Sequence, residues 1–313
     1  MAIRFGTRGS ALARWQTHWC ADLLKEKEID SEIVVIETSG DRVQDKSIVN
    51  IGAQGVFTKE LQSALLRGDI DVAVHSLKDL PTEPVEGLVL SSVPRRGAYR
   101  DALLSRKAAA IDELPKGSRI GTGSLRRKTQ LVYHFGNSFQ IDEIRGNIET
   151  RLRKLDQGGY DALILAEAGL IRLGYSERIC SFLEPPFFLP AVGQGAIGLE
   201  IRFDDYRTAE QIAFLCDTVT WVAVLAERAM LQKLQGGCIA PIAALGHVEG
   251  ETLILHGRIL SLDGKTMLET TRNASLQDDP KLLGISVADE LIKMGADKLL
   301  EEIFCQRQDL PHR

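Results

Sequence analysis

The chain has 313 residues, 44% hydrophobic and 26% charged, the balance of a soluble globular protein and more length than one ordinary core organises. No apolar run reaches the about 18 residues a bilayer demands, and a net charge of −5 with 6% aromatic residues argues against wholesale nucleic-acid binding. Five scattered cysteines (Cys20, Cys180, Cys216, Cys238, Cys305) with no CxxC pair argue against a disulfide framework or metal site and fit a reducing cytosol; Met1-Ala2-Ile3-Arg4-Phe5 enters a strand-like segment with no visible secretion signal.

In chain order, Ile3-Arg4-Phe5 predicts a strand, Gly6-Thr7-Arg8-Gly9-Ser10 a turn, and Ala11 to Glu26 an amphipathic helix. Glu32 to Glu37 predicts a second strand running into Thr38-Ser39-Gly40-Asp41, and the weakly patterned Arg42 to Gly55 a mobile loop. Phe57 to Leu66 is helical and closed by Gly68. Asp71-Val72-Ala73-Val74 then reads as a buried strand that gives out at His75-Ser76-Leu77-Lys78-Asp79-Leu80-Pro81. A carboxylate and an ammonium side by side at a strand end are placed where open α/β sheets bind ligands.

The same grammar repeats from Arg119. Ile120-Gly121-Thr122-Gly123-Ser124-Leu125 echoes the turn at Gly6 to Ser10, Ile141 to Asn147 echoes the strand ending at Gly40-Asp41, and Gly159-Tyr160-Asp161-Ala162-Leu163-Ile164 echoes the approach to Val74. Three landmarks in one order predict two related α/β domains with a cleft at their strand ends. Val93 to Gly97 and Leu189 to Gly195 read as the two crossings, the second followed by a strand from Ala196 to Ile201. Beyond Ala209 a helix is predicted through Leu231 to Gly236-Gly237-Cys238. A hairpin follows, Leu253 to Ile259 and Thr266 to Thr271 around Asp263-Gly264, and then helices over 281–294 and 296–304 split by Gly295. The expected organisation is 1–95 with 196–214 as one α/β lobe, 100–190 as a second, and 218–313 as a small α+β domain carrying Cys238.

Arginines give the clearest chemical signal. Arg8, Arg126, Arg127, Arg145, Arg151 and Arg172 lie in or near predicted strand-end turns. Gly-Ser turns opening helices present backbone N–H groups at the positive end of the helix dipole, and arginine adds a bidentate fork, so the cluster predicts a ligand with several carboxylates or phosphates. No GxxxxGK[ST] pattern occurs. Gly193-Gln194-Gly195-Ala196-Ile197-Gly198 precedes a strand rather than joining a strand to a helix, so it is not a dinucleotide turn. Cys238 sits in a sharply turning loop, where a thiol serves either packing or covalent attachment. The histidines show no metal spacing or triad partner.

GTRGSALARWQ, HSLKDLP, GTGSLRRKTQL, IRGNIETRLRKLD, LPAVGQGAIGLE and GGCIAPIA, in that order, resemble the motifs of the porphobilinogen deaminase (hydroxymethylbilane synthase) family over essentially the whole chain. The resemblance implies two lobes like those of periplasmic binding proteins plus a small C-terminal domain. It implies head-to-tail joining of four porphobilinogen molecules into a linear tetrapyrrole with release of ammonia, in haem biosynthesis, primed by a dipyrromethane cofactor on a cysteine thioether. By that likeness Cys238 is the attachment residue, and Asp79 the catalytic aspartate that helps the amino group leave and stabilises cationic intermediates. Arg8, Ser10, Lys78, Thr122, Ser124, Arg126, Arg127, Arg145, Arg151 and Arg172 hold acetate and propionate groups; Asp41 and Gln194 are grouped with them. A cytoplasmic monomer is implied, with no nucleic-acid or membrane partner.

One departure stands out: many family members carry lysines where this chain has Asn50 and Gln54, with Arg42 and Lys46 nearby. The reading from residues alone keeps two rivals, a non-catalytic two-lobed polycarboxylate-binding protein and a nucleic-acid binder using Arg95-Arg96 and Arg126-Arg127.

Overall fold

The computed structural model describes residues 2–37, 58–235 and 240–308, with side chains to 305. Asp41, the loop from Arg42 to Gly55 with Asn50 and Gln54, and Cys238 lie outside them. The chain divides into two compact units, Met1–Ala98 with Gly193–Trp221, and Tyr99–Val192 with Val222–Arg313.

The first unit is built on a five-stranded sheet ordered β2-β1-β3-β10-β4, from Ser31–Ile36, Ile3–Arg8, Val72–Ser76, Ile197–Arg202 and Leu88–Ser92. β1 pairs parallel with β2 and β3, and β10 runs antiparallel to β3 and β4. Helices cover both faces, which is why Val72-Ala73-Val74 is apolar without interruption. Successive side chains of β3 alternate between them. Val72 and Val74 join Phe5, Cys20 and Leu24 on the side of α1 (Ala11–Lys25); Ala73 joins Leu61 and Leu65 on the side of α2 (Lys59–Arg67). The left-handed C-cap of α2 is Gly68, φ +75°.

The second unit contains a sheet of the same plan, β7-β6-β8-β5-β9, from Gln140–Asp142, Arg119–Gly121, Ala162–Ala166, Asp101–Ser105 and Ser181–Leu183. β6 is parallel to β7 and β8, and β5 antiparallel to β8 and β9. The predicted duplication is present strand for strand, with β5 standing where β10 stands in the first sheet. α3 (Leu125–Phe135) and α4 (Ile148–Asp156) follow β6 and β7; α5 (Glu167–Arg172) follows β8.

The same unit holds an antiparallel sheet β11-β12-β13 (Ile242–Glu249, Thr252–Leu260, Met267–Ser275). Leu253, Leu255 and Ile259 pack on Ala226 and Met230 and on Val287 and Leu291, from the helices Thr218–Leu234 (α7) and Pro280–Lys293 (α8), and Ala296–Gln308 (α9) completes the layer. The hairpin turns at Gly264, φ +67°. The helix expected from Ala209 to Leu231 is two helices, Tyr206–Ile212 (α6) and α7. Asp217 explains the break: its Oδ1 accepts the Thr220 N–H at 2.8 Å and its carbonyl the Trp221 N–H at 2.8 Å, which caps a new helix.

Candidate functional site

Parallel pairing of β1, β2 and β3 brings their carboxyl ends to one edge of the first sheet. Arg8 ends β1, and Ser10 caps α1 by accepting the Ala13 N–H at 3.3 Å. The cap uses a lone pair of the hydroxyl and leaves its hydrogen to donate. Where β3 ends, Leu77–Asp79 forms one 3-10 turn with Leu77 buried, Lys78 half-buried and Asp79 exposed. Among the described residues the Asp79 carboxylate has no hydrogen-bond or ion-pair partner.

This turn is held from three sides. Gln16 of α1 donates to Ser76 Oγ at 2.9 Å. The Leu77 N–H donates to the Ala196 carbonyl at 3.0 Å. Gly193 lies so near that a Cβ there would stand 3.3 Å from Lys78 N. The Gly193-Gln194-Gly195 turn therefore supports the Lys78-Asp79 backbone, and Gln194 itself is buried, its carbonyl accepting Arg96 Nε at 2.8 Å. Beneath the turn, buried His75 pairs through Nε2 with Glu200 Oε2 at 3.1 Å, and Gln62 Nε2 donates to Glu200 Oε1 at 3.1 Å. The sequence reading found no partner for His75, because Glu200 enters from β10, more than a hundred residues away.

The carboxyl edge of β6, β7 and β8 repeats the arrangement within the second unit. Thr122 is buried, its Oγ1 accepting the Ser124 N–H at 3.2 Å, and Ser124 caps α3 by accepting the Arg127 N–H at 3.4 Å. Asn147 caps α4 through the Thr150 N–H at 2.8 Å. The turn before it, with Gly146 at φ +110°, is braced by Arg151 Nε to the Gly146 carbonyl at 2.8 Å and Lys154 Nζ to the Arg145 carbonyl at 3.1 Å. Arg145 is half-buried and ion-paired to Glu143. Arg172, half-buried, ends α5.

Arg126 and Arg127 are only 5% and 6% exposed and share one carboxylate, Asp101, itself 1% exposed. Arg126 Nη1 reaches Asp101 at 2.7 Å and the Leu189 carbonyl at 2.5 Å. Arg127 gives Nε at 3.0 Å and Nη2 at 2.7 Å to Asp101, and Nη1 to the Ile164 carbonyl at 3.0 Å. Burial would raise the Asp101 carboxyl, but the two guanidinium charges and their hydrogen bonds outweigh it and hold it well below the usual carboxylate range. Burial lowers the Arg126 guanidinium, repulsion from Arg127 adds to that, and Asp101 opposes both. The cluster keeps one net positive charge, and the buried Arg126 Nε has no acceptor among the described residues. Charged donors beside the carboxyl ends of the strands, with one buried N–H that has no acceptor among the described residues, suit a group bearing several carboxylates. The sequence reading named both arginines but missed Asp101, the partner that fixes them.

A family model described as "Porphobilinogen deaminase, dipyromethane cofactor binding domain" matches residues 3–210, and one for the C-terminal domain of the same family matches residues 221–293. The porphobilinogen deaminase of Trichlorobacter lovleyi is 46% identical over 304 residues, covering 96% of both chains. That of Brevibacillus brevis is 44% identical over 308 residues, covering 97% of this chain and 98% of its own. Among solved structures, the methionine binding protein MetQ aligns with 79% of this chain and 99% of its own at 16% identity and a TM-score of 0.45. With the family models spanning nearly the whole length, the chain belongs to the porphobilinogen deaminase family.

Proposed function

We propose that the chain joins four porphobilinogen molecules head to tail into hydroxymethylbilane, expelling ammonia at each addition, as a transferase with Asp79 as its catalytic carboxylate and Cys238 as the anchor of a dipyrromethane thioether. The exposed Asp79 carboxylate, beside Lys78 and without a partner among the described residues, carries the assignment. A carboxylate left unneutralised at a ligand-binding sheet edge has charge available for a cationic substrate. The alternative of a non-catalytic polycarboxylate-binding protein is not favoured by the family.

When bound, the dipyrromethane supplies the nucleophilic pyrrole carbon to which new units are joined. Asp79 holds the substrate ammonium, stabilises the positive charge left on carbon as ammonia departs, and accepts the proton released when the joined ring regains aromaticity. Lys78, Arg8 and the Ser10 hydroxyl donate to acetate and propionate groups at the first edge. Thr122, Ser124, Arg126, Arg127, Arg145, Arg151 and Arg172 do so at the second, where Asp101 holds Arg126 and Arg127 in place. Asp41 and Gln194 complete the proposed set. Each ring brings two carboxylates, which accounts for so many cationic donors in a chain of net charge −5. The enzyme is assigned to the cytoplasm as a monomer of three domains, 1–95 with 196–214, 100–190, and 218–313.

The test is the intact mass of the purified chain and of its Cys238 peptide. Two linked pyrrole units on Cys238, and further increments of one unit on adding porphobilinogen, are the expected result. A Cys238→Ser chain that still carries the adduct removes Cys238 from the attachment role.

A further inference from the structure

Among the described residues the largest fully buried side chain is that of Arg258, 2% exposed in the middle strand of the three-stranded sheet. A guanidinium so deep in an apolar layer persists only if its donors are taken, and they are. Nε and Nη2 reach Glu269 Oε2 on the facing strand at 3.0 and 2.6 Å. Nη2 donates to the Pro186 carbonyl at 2.7 Å, and Nη1 to the Phe187 carbonyl at 3.1 Å and to Gln130 Oε1 at 2.8 Å. Arg258 thus ties the small sheet to the segment before Leu189 and to α3.

Gln130 passes the constraint on. Fully buried, its Oε1 also accepts the Leu189 N–H at 2.9 Å while Nε2 donates to the Leu189 carbonyl at 3.1 Å. That carbonyl is the one that accepts Arg126 Nη1 at 2.5 Å. One unbroken set of hydrogen bonds therefore runs from Glu269 through Arg258, Gln130 and Leu189 to Arg126 and Asp101. With Nη1 fixed at Leu189 and Asp101, the plane of the Arg126 guanidinium is fixed, and so is the direction of its Nε, which has no partner among the described residues.

We propose that Arg258 is a positioning residue: through Gln130 and the Leu189 carbonyl it sets the orientation in which Arg126 meets a ligand carboxylate. The small sheet that follows Cys238 in sequence thereby helps to align a carboxylate-binding arginine on α3. The proposal rests on the proposed ligand role of Arg126.

The experiment compares Arg258→Lys, Arg126→Lys and the double variant in the cofactor-bearing enzyme. Lysine keeps the charge but cannot serve Glu269, Gln130 and two carbonyls together. Arg258→Lys should speed amide exchange at Leu189 N roughly tenfold. It should also raise KM for porphobilinogen about fivefold, with kcat within about twofold, as expected for a misaligned charged hydrogen bond. In the Arg126→Lys background it should add nothing to KM, because both changes act at one contact. Should the Arg258 variant not fold, Gln130→Glu keeps the acceptor for Arg258 and Leu189 N but loses the donor to the Leu189 carbonyl, and the same non-additivity with Arg126→Lys is expected.

Additive KM effects, or a lower melting temperature with KM unchanged, overturn the proposal and leave Arg258 a structural clamp. If Arg126→Lys alone changes neither KM nor the fraction of chains carrying the two-pyrrole mass, the ligand role of Arg126 fails and the proposal fails with it. Faster Leu189 exchange in Arg258→Lys would then mark the hydrogen-bonded path as structural only.

Discussion

Asp101 carries a full charge with almost no water around it, and only the facing guanidiniums make that tolerable. Its folded pKa lies below the unfolded value of about 4, so the sign of its pH effect follows. The stabilisation is complete above about pH 4 and is lost as pH falls through the lower, folded value. Asp101→Asn leaves two buried cations facing a neutral amide. At neutral pH it should cost about 3–5 kcal/mol, measured by urea unfolding, and the gap from the parent should close as pH falls below about 4. A gap that does not change with pH would mean that the Asp101 charge is not what holds the arginines. Charge and turn chemistry made Arg126 and Arg127 legible from sequence. Asp101 was not legible, because an Asp opening a short strand looks like any exposed carboxylate until β5 pairs with β8 and delivers it under α3. The His75–Glu200 and Arg258–Gln130 pairs were hidden for the same reason: each joins elements far apart in the chain.

At the scale of elements, the turns that end β1 and β6 were readable because glycine, threonine and a capping serine are local signals. The buried run of β3 was readable by its apolar continuity. β4, β5, β9 and β11 were not, being short or, in the case of Ile242-Ala243-Ala244-Leu245-Gly246, made of residues with little strand preference. Pairing with neighbouring strands makes them strands. The Gly193-Gln194-Gly195 turn shows what a local signal does mean here. Gly195 has φ +86°, and a Cβ there would lie 2.6 Å from the Ala98 carbonyl oxygen and 2.8 Å from that of Gly97. Backbone atoms cannot give way as a side-chain tip can. Gly195→Ala should therefore cost about 2–4 kcal/mol and lower kcat, since the same turn supports Leu77-Lys78. Gly174→Ala is the control: φ is +76° but nothing lies within 4 Å of the added carbon, so the cost should be about 1 kcal/mol with kcat unchanged. Equal losses in the two variants would reduce the Gly195 effect to backbone preference.

Across the whole molecule, two sheets of one plan have been put to different electrostatic use. In the first, β3 ends in a turn whose carboxylate, Asp79, is exposed and without a partner among the described residues. In the second, the corresponding strand β8 is followed at once by Glu167, which is buried and clasped by Arg100, Nε to Oε2 at 2.7 Å and Nη2 to Oε1 at 2.7 Å. The hydrogen bond to Glu167 first, and the nearby charges after it, push the Arg100 guanidinium further up and outweigh its partial burial. A carboxylate already neutralised by a bidentate arginine has little field left for a cationic substrate. Duplication thus gives two sets of strand-end donors, but of the two carboxylates that follow β3 and β8 only Asp79 is left without a partner among the described residues, which suits a reaction that adds one ring at a time. The two residues should separate cleanly. Asp79→Ala should fold with an unchanged melting temperature, still bind porphobilinogen, and lose kcat by about 10²–10⁴-fold, the range for a carboxylate in proton transfer and charge stabilisation. Glu167→Gln should keep kcat within about threefold yet cost about 1.5–3 kcal/mol of stability, the worth of hydrogen bonds to a charged partner. Steady-state kinetics beside thermal melts decide it. If Asp79→Ala turns over near normally, the chemistry does not reside at that strand end; if Glu167→Gln loses kcat without losing stability, the second sheet edge contributes a reacting group after all.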